Sequence, residues 1–301
     1  MSGFVWLASY PKSGNTWMRI LFNGLWRDAG ETVDINEISD SGGIASNRAM
    51  FDQTLLIESG LLTYDEIDLL RPRLYEELAR RGRRGWDEED GGHSSAPERF
   101  VKVHDAYTNT STGEPLLGGA RGARGAIVIV RDPRDVVPSV ANHMHFSIDR
   151  AVRFVNDPTT TMSIGAGFQQ QQLRQTLLDW SGHVASWLDQ ADIPVHLVRY
   201  EDLKRDTAGT LAAALRFVAL EASEEMIARA VAQASFANLQ AQELQKGFAE
   251  WTRAKRGPEL FFRRGETGAW RAELSAEQVG AIERCHGAMM TRLGYELSSP
   301  A

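Results

Sequence analysis

A single cysteine, Cys285, in 301 residues excludes an internal disulfide framework and any multi-cysteine metal site. That scarcity fits a reducing compartment, and the expected location is cytoplasmic. Long apolar runs are also missing. No stretch approaches the ~18 to 20 uninterrupted apolar residues that span a bilayer, and no basic segment precedes the short apolar run at the N-terminus, so neither a membrane partner nor a removed leader is expected. Positive charge is in slight deficit, with 33 Lys plus Arg against 40 Asp plus Glu and a formal net charge of -7. That balance argues against a nucleic-acid partner. Two nucleotide signatures are absent as well: the Gly-x-x-x-x-Gly-Lys-[Ser/Thr] spacing of a Walker A loop, and any carboxylate cluster at metal spacing, so no metal is expected. What is present, 43% hydrophobic and 24% charged residues without repeat or dividing linker, reads as one globular domain over residues 1–301.

The first element is the apolar run Phe4 to Ser9, followed by Tyr10-Pro11-Lys12-Ser13-Gly14-Asn15 and an apolar-periodic stretch from Thr16 to Trp26. This is a strand, a tight loop and a helix. Helical spacing recurs over Tyr64 to Arg80, where Pro72 is expected to break or kink the helix, and residues 83–97 read as a surface loop. Arg99 to His104 and Ala126 to Val130 are further strands, the latter continuously β-branched from Ile127 and suited to burial on both faces. Asp132-Pro133 then supplies a cap and a first helical residue for a helix to about His145. Residues 147–169 read as a long loop, 170–190 as a helix, 195–199 as a strand, and 201–220 and 223–234 as helices. Strands alternating with helices predict an α/β fold, a central parallel β-sheet flanked by helices with a P-loop-like phosphate-binding strand-loop-helix at its start.

Three segments carry chemistry. A glycine-containing turn between strand and helix aims backbone N–H groups and the positive end of a helix dipole at one spot, which suits a phosphate. Lys12, Ser13, Asn15 and Thr16 would add side-chain donors there, although a Pro-Lys-Ser-Gly turn found alone is as well read as a helix-initiating connection. In the second segment, Arg131 leaves a buried strand and Ser139 lies two turns into the next helix on the same side, so both reach one anion. Alternatively, Arg131 pairs with Asp132 or Asp135. The third is Arg263-Arg264-Gly265-Glu266-Thr267-Gly268-Ala269-Trp270, within a stretch from Arg253 to Arg271 holding six basic and two acidic residues, a local +4 in an acidic chain. Consecutive guanidinium forks beside a glycine match phosphate oxygens.

In this order and spacing, Trp6 to Trp17, Arg131 to Ser139, Tyr200-Glu201-Asp202-Leu203 and Arg263 to Trp270 resemble the cytosolic-type sulfotransferase family, which takes its sulfuryl group from 3'-phosphoadenosine 5'-phosphosulfate (PAPS). The short bacterial members are nearest in length and in the Gly268-Ala269-Trp270-Arg271 ending. The resemblance implies that Lys12, Ser13, Gly14, Asn15 and Thr16 cradle the 5'-phosphosulfate, with Lys12 at the bridging oxygen. Arg131 and Ser139 match ligands of the 3'-phosphate, and Arg263, Arg264 and Gly265 the late loop that closes on it. Trp17, Tyr200, Ser235 and Phe236 fall where the family packs or contacts the adenine; for the aromatics the alternative is plain core packing.

The chemistry also needs a base for the acceptor hydroxyl, and neutral imidazole suits it. Of seven histidines, His104 ends a strand within Lys102-Val103-His104 and matches the family's base, with Lys102 as a supporting charge. The implied reaction is in-line displacement at sulfur, releasing adenosine 3',5'-bisphosphate (PAP). Its acceptor would be a small phenol, alcohol or glycoside, including glycopeptides. Departures from the family pattern are Asp105-Ala106 after His104, Asn15 where Thr is frequent, Ala269 where Asp is common, and the lack of the animal dimerisation segment, which leaves oligomeric state open. Two other classes share parts of this pattern, a P-loop-type nucleotide phosphotransferase and a catalytically silent nucleotide- or sulfated-ligand-binding protein.

Overall fold

The computed structural model describes residues 3–27, 31–38, 43–81, 99–165, 170–251 and 260–298. The expected 83–97 loop and most of the basic stretch around Arg253 to Arg256 lie outside these residues. Strands β1 (Phe4–Ser9), β2 (Phe100–Val103), β3 (Ala123–Val130) and β4 (Val195–Arg199) form one parallel sheet in the order β2-β1-β3-β4. All six residues of β1 are buried, and they alternate between two cores. Trp6 and Ala8 join Tyr75, Val101, Val103, Val128, Trp180 and Trp187 on one face, while Val5 and Leu7 join Met18, Phe22, Ile127, Ile129 and Leu203 on the other. At ~1.5 to 3 kcal/mol for each large apolar side chain buried, β1 anchors both layers at once. Parallel pairing then brings every strand's carboxyl end to the same edge, the place where α/β sheets build their sites.

Helix α1 (Asn15–Leu25) follows β1 across the tight loop. Helices α2 (Arg48–Leu55) and α3 (Tyr64–Arg81) precede β2. Of the two outcomes expected at Pro72, a break or a kink, the break does not occur: α3 runs through it, burying Ile67, Leu74, Tyr75 and Leu78 along one stripe. The lost hydrogen bond is outweighed by that packing. After β3, Asp132 accepts from the Arg134 N–H at 2.9 Å and Pro133 opens α4 (Pro133–Met144), as the sequence predicts.

Two expectations fail downstream. Within the expected 147–169 loop lies α5 (Ile148–Asn156), capped by Ser147 and buried through Ala151, Val152 and Val155. Conversely, 170–178 is extended. Leu173 N–H donates to the Ser46 carbonyl at 2.7 Å, and Gln175–Thr176 pair antiparallel with Thr161–Met162, so helix begins only at α6 (Trp180–Leu188) behind the Asp179 cap. Local periodicity could not see these long-range partners. Helices α7 (Tyr200–Arg205), α8 (Thr207–Phe217), α9 (Glu224–Gln233), α10 (Phe236–Lys246) and α11 (Ala276–Arg292) complete the helical layers. Among the described residues no helix is long and apolar enough to cross a membrane.

The chain just beyond β2 is fixed by a buried ion pair. Arg71 of α3 grips Asp105 through two bonds of 2.7 and 3.0 Å, and both side chains are fully buried. Tyr75 hydroxyl accepts from the same guanidinium, while Asp105 also accepts from the Thr176 N–H at 3.1 Å. Removing one partner of such a pair strands the other charge. Asp105→Ala is therefore expected to destabilise the protein by ~3 to 5 kcal/mol in urea unfolding, against under ~1 for an exposed pair such as Arg205 and Asp202.

Candidate active site

At the carboxyl edge of the sheet a cleft of about 1170 Å³ opens, lined from nearly every segment singled out in the sequence. Its floor is the β1-to-α1 loop. Lys12 adopts a left-handed backbone (φ 70°), and Gly14 has φ 107°. A Cβ on Gly14 would lie 2.6 Å from Tyr200 Cδ2, so glycine is what lets the tyrosine ring seal against the loop. Lys12 Nζ sits 3.7 Å above the Phe261 ring, roofed by the cluster of Phe248, Trp251, Phe261 and Phe262.

Thr16, Trp17, Lys102, His104, Arg131, Ser139, Tyr200, Phe236, Arg263, Arg264 and Gly265 also line this cleft. Trp17 donates from Nε1 to the Ala234 carbonyl at 2.9 Å and stands edge-on to Tyr200 at 5.8 Å. Gly265 (φ 61°) presses on Phe236, where a Cβ would come within 2.3 Å of the ring. Arg131 lies over Tyr200 at 4.5 Å and bonds the Glu266 carbonyl at 2.9 Å and the Lys12 carbonyl at 3.5 Å, tying the first loop to the last. It makes no carboxylate pair among the described residues. Asp132 is held by Arg134 and Asp135 by the Gly268 and Trp270 N–H groups, so neither makes a direct ion pair with Arg131, whose charge still acts on Asp135.

Four expected site residues are placed differently. Ser13 is fully buried under the loop and is not a cleft residue, and Ser235 is an exposed N-terminal residue of α10 that also stays off the wall. Asn15 lines the cleft, but its carboxamide donates backward to the Leu7 carbonyl (2.9 Å) and Ser9 Oγ (3.2 Å), so it braces β1 instead of offering those hydrogens to an anion. Arg263 is engaged bidentately by Glu273 at 2.6 and 2.9 Å, leaving Arg264 the freer of the two, 3.3 Å from the same carboxylate.

Among the described residues, His104 is the histidine whose ring is locked to the end of β1. Its Nδ1 lies 2.8 Å from the Ser9 carbonyl, which can only accept, so Nδ1 carries the proton and Nε2 is left as a lone-pair nitrogen. Burial, then the charge of Lys102, pushes its pKa down to about 3 despite that bond, and the ring is neutral at pH 7. The same two influences lower Lys12 to about 7, opposed by Glu250. Lys102 is lowered mainly by burial and again supported by Glu250.

Glu250 has no sequence signal: it stands in an unpatterned connection after α10. Its carboxylate receives Arg19 at 2.5 Å, Thr16 Oγ1 at 3.3 Å and Lys102 Nζ at 3.5 Å. Burial would raise its pKa, but Lys102 and Arg19 prevail and hold it well below the usual carboxylate range. Lys204, 5.5 Å from the Trp17 ring, and Phe261 were also unread; Phe261 was signalled only by standing two residues before Arg263. No group of three or more His, Cys, Asp or Glu that could hold a metal occurs among the described residues.

A parallel sheet with this strand-loop-helix floor is the architecture of solved sulfotransferase structures. Retinol dehydratase in complex with androsterone and the inactive cofactor PAP superposes with a TM-score of 0.60 at 20% identity, covering 98% of this chain and 82% of that one. A mouse sulfotransferase complexed with PAP gives 0.58 at 17% identity, covering 96% and 84%. The sulfotransferase domain model matches residues 125–294, and the chain belongs to that family. An amine sulfotransferase of Oryctolagus cuniculus is 24% identical over 169 residues, a match spanning about half the length of each, 52% of this chain and 52% of the relative.

The loop geometry makes its own prediction. Gly14→Ala forces an L-residue to φ 107° and into Tyr200, and is expected to lower stability by ~2 kcal/mol or more, read as a Tm drop of a few degrees.

Proposed function

We propose that this protein transfers the sulfuryl group of PAPS to a hydroxyl of a small-molecule acceptor and releases PAP, with residues 1–301 acting as one sulfotransferase domain. The observation that carries this reading is the Nδ1–H bond of His104 to the Ser9 carbonyl, which presents Nε2 as a base among buried cations. The cleft's chemistry fits the donor. Arg131 has no carboxylate partner among the described residues, and its Nε is buried without one. Lys12 and Lys102 are poorly solvated, so each gains from an anion.

His104 Nε2 takes the acceptor proton as the oxygen bonds to sulfur. The bond from sulfur to the bridging oxygen breaks, its electron pair stays on the departing phosphate, and Lys12 and the loop N–H groups stabilise that charge. A base with a pKa near 3 is too weak by itself. The negative donor next to Lys102 reverses the local sign and raises the imidazole, so basicity arrives together with the group to be transferred. Glu250 has to yield Thr16 and Lys102 for the same reason, since its carboxylate holds them in their present pairing. On the acceptor side, Ile44, Met144, Phe146 and Phe154 with Asn47 and Gln171 suit an amphipathic phenol, alcohol or glycoside.

The test is label transfer from PAPS, and from ATP with Mg²⁺, to a panel of such acceptors. Transfer from PAPS alone is expected; ATP-dependent transfer without PAPS binding would overturn the reading in favour of a phosphotransferase, and binding without transfer would indicate a silent binding protein. His104→Ala should lose ~10²- to 10⁴-fold in turnover with PAP affinity within about twofold, whereas Arg131→Ala should weaken PAP binding by roughly tenfold or more.

The pH dependence follows from Lys12. With its pKa near 7 in the ligand-free protein and raised by bound phosphate, PAP affinity should fall as pH rises from 7 toward 9, by up to about tenfold per unit. Isothermal titration at several pH values checks this, and Lys12→Met should flatten the slope.

A further inference from the structure

Beyond Val103 the chain leaves the sheet, so the backbone groups of residues 104–107 need partners elsewhere. One face of α6 provides three of them. His183 Nε2 lies 3.1 Å from the His104 carbonyl, Trp187 Nε1 donates to the Asp105 carbonyl at 3.0 Å, and Ser186 Oγ accepts from the Tyr107 N–H at 2.9 Å. His183 is the unusual member. Its ring is 1% exposed, and because a carbonyl only accepts, Nε2 must carry its proton. Its Nδ1 is buried with no hydrogen-bond partner.

A phenylalanine would fill that space without an unsatisfied nitrogen, whose desolvation costs ~1 to 3 kcal/mol. The polar ring therefore opposes stability on one side while making a single bond on the other. That bond falls on the peptide of the base. The same ring meets Tyr10 edge-on at 5.5 Å, and Tyr10 opens the loop that carries Lys12. One buried side chain thus touches both strand ends from which the proposed chemistry is built.

We propose that His183 is a positioning residue: its Nε2–H holds the His104 peptide, and through it the Nδ1–H bond to Ser9, so that the free imidazole nitrogen stays aimed into the cleft. This rests on the reading of His104 as base. Burial lowers the His183 pKa to about 4, so the ring supplies one neutral donor at physiological pH and brings no charge near His104. The bidentate Arg71–Asp105 pair fixes the next residue along the same segment.

The experiment uses the full chain labelled with ¹⁵N-histidine, His104→Ala to assign the His104 signal, His183→Gln, whose amide nitrogen reaches the place of Nε2, and His183→Phe, which keeps the volume and loses the donor. Long-range ¹H–¹⁵N spectra of the wild type should show His183 protonated at Nε2 and His104 at Nδ1. In His183→Phe the His104 signal should become a tautomer mixture, and turnover with the acceptor found by label transfer should fall at least ~10-fold while PAP affinity stays within about twofold. His183→Gln should restore both.

The proposal is overturned if His183→Phe keeps the wild-type His104 spectrum and turnover, or if His183→Gln is as impaired as His183→Phe, which would make packing the cause. A wild-type His183 protonated at Nδ1 overturns it even if His183→Phe does not fold. If PAP binds none of these proteins while the spectra behave as expected, the donor assignment fails and the positioning bond stands.

Discussion

The parallel pairing of β1 with β2 on one side and β3 on the other sets everything at the site. Ala8 is level with Val103, and Ser9 with Ile129, so the Ser9 carbonyl and His104 emerge at one level and Arg131 two residues beyond it. A one-residue slip in either pairing would invert every side chain and exchange the two cores. The site is therefore not assembled by its loops; the loops decorate a register that the burial of Trp6, Ala8, Val5 and Leu7 has already imposed.

On that edge the electrostatics run against the usual order of a folded protein. Lys12 and Lys102 are held where their charged forms are disfavoured, and one carboxylate, Glu250, offsets part of the penalty for both. A chain segment of the protein's own thus partly neutralises this positive centre. His104 is neutral for a related reason, since burial and the charge of Lys102 both disfavour its protonation.

Much of this was legible because it is local. The loop from Tyr10 to Thr16, the Asp132-Pro133 helix start and the position of His104 at a strand end are short-range patterns, and their order along the chain pointed to the family. Most of the missed features share the opposite property. Helix α5 is the exception, since the Ser147 cap and the i, i+3, i+4, i+7 spacing of Ile148, Ala151, Val152 and Val155 are local signs, masked only by the Thr, Gly, Asn and Asp content of the longer 147–169 stretch. The 170–178 segment looks helical by itself but is captured by Ser46 and the 161–162 strand. Glu250 meets Arg19 across 231 residues, and Arg71 meets Asp105 from another helix altogether. Asn15 and Ser13 were placed in the right loop with the wrong orientation, because spacing gives a residue's neighbourhood and not the direction of its side chain.

The strand that carries His104 is the last in its sheet, and such strands ordinarily present a row of unpaired backbone groups to other chains. Here the row is occupied at Lys102. Lys102 donates its N–H to the Gly43 carbonyl at 3.1 Å, and its own carbonyl accepts from the Ala45 N–H at 2.8 Å. The short 43–45 segment acts as a guard strand. A strand from another copy could pair with β2 at Lys102 only after peeling this segment away, which guards the part of the border nearest the base.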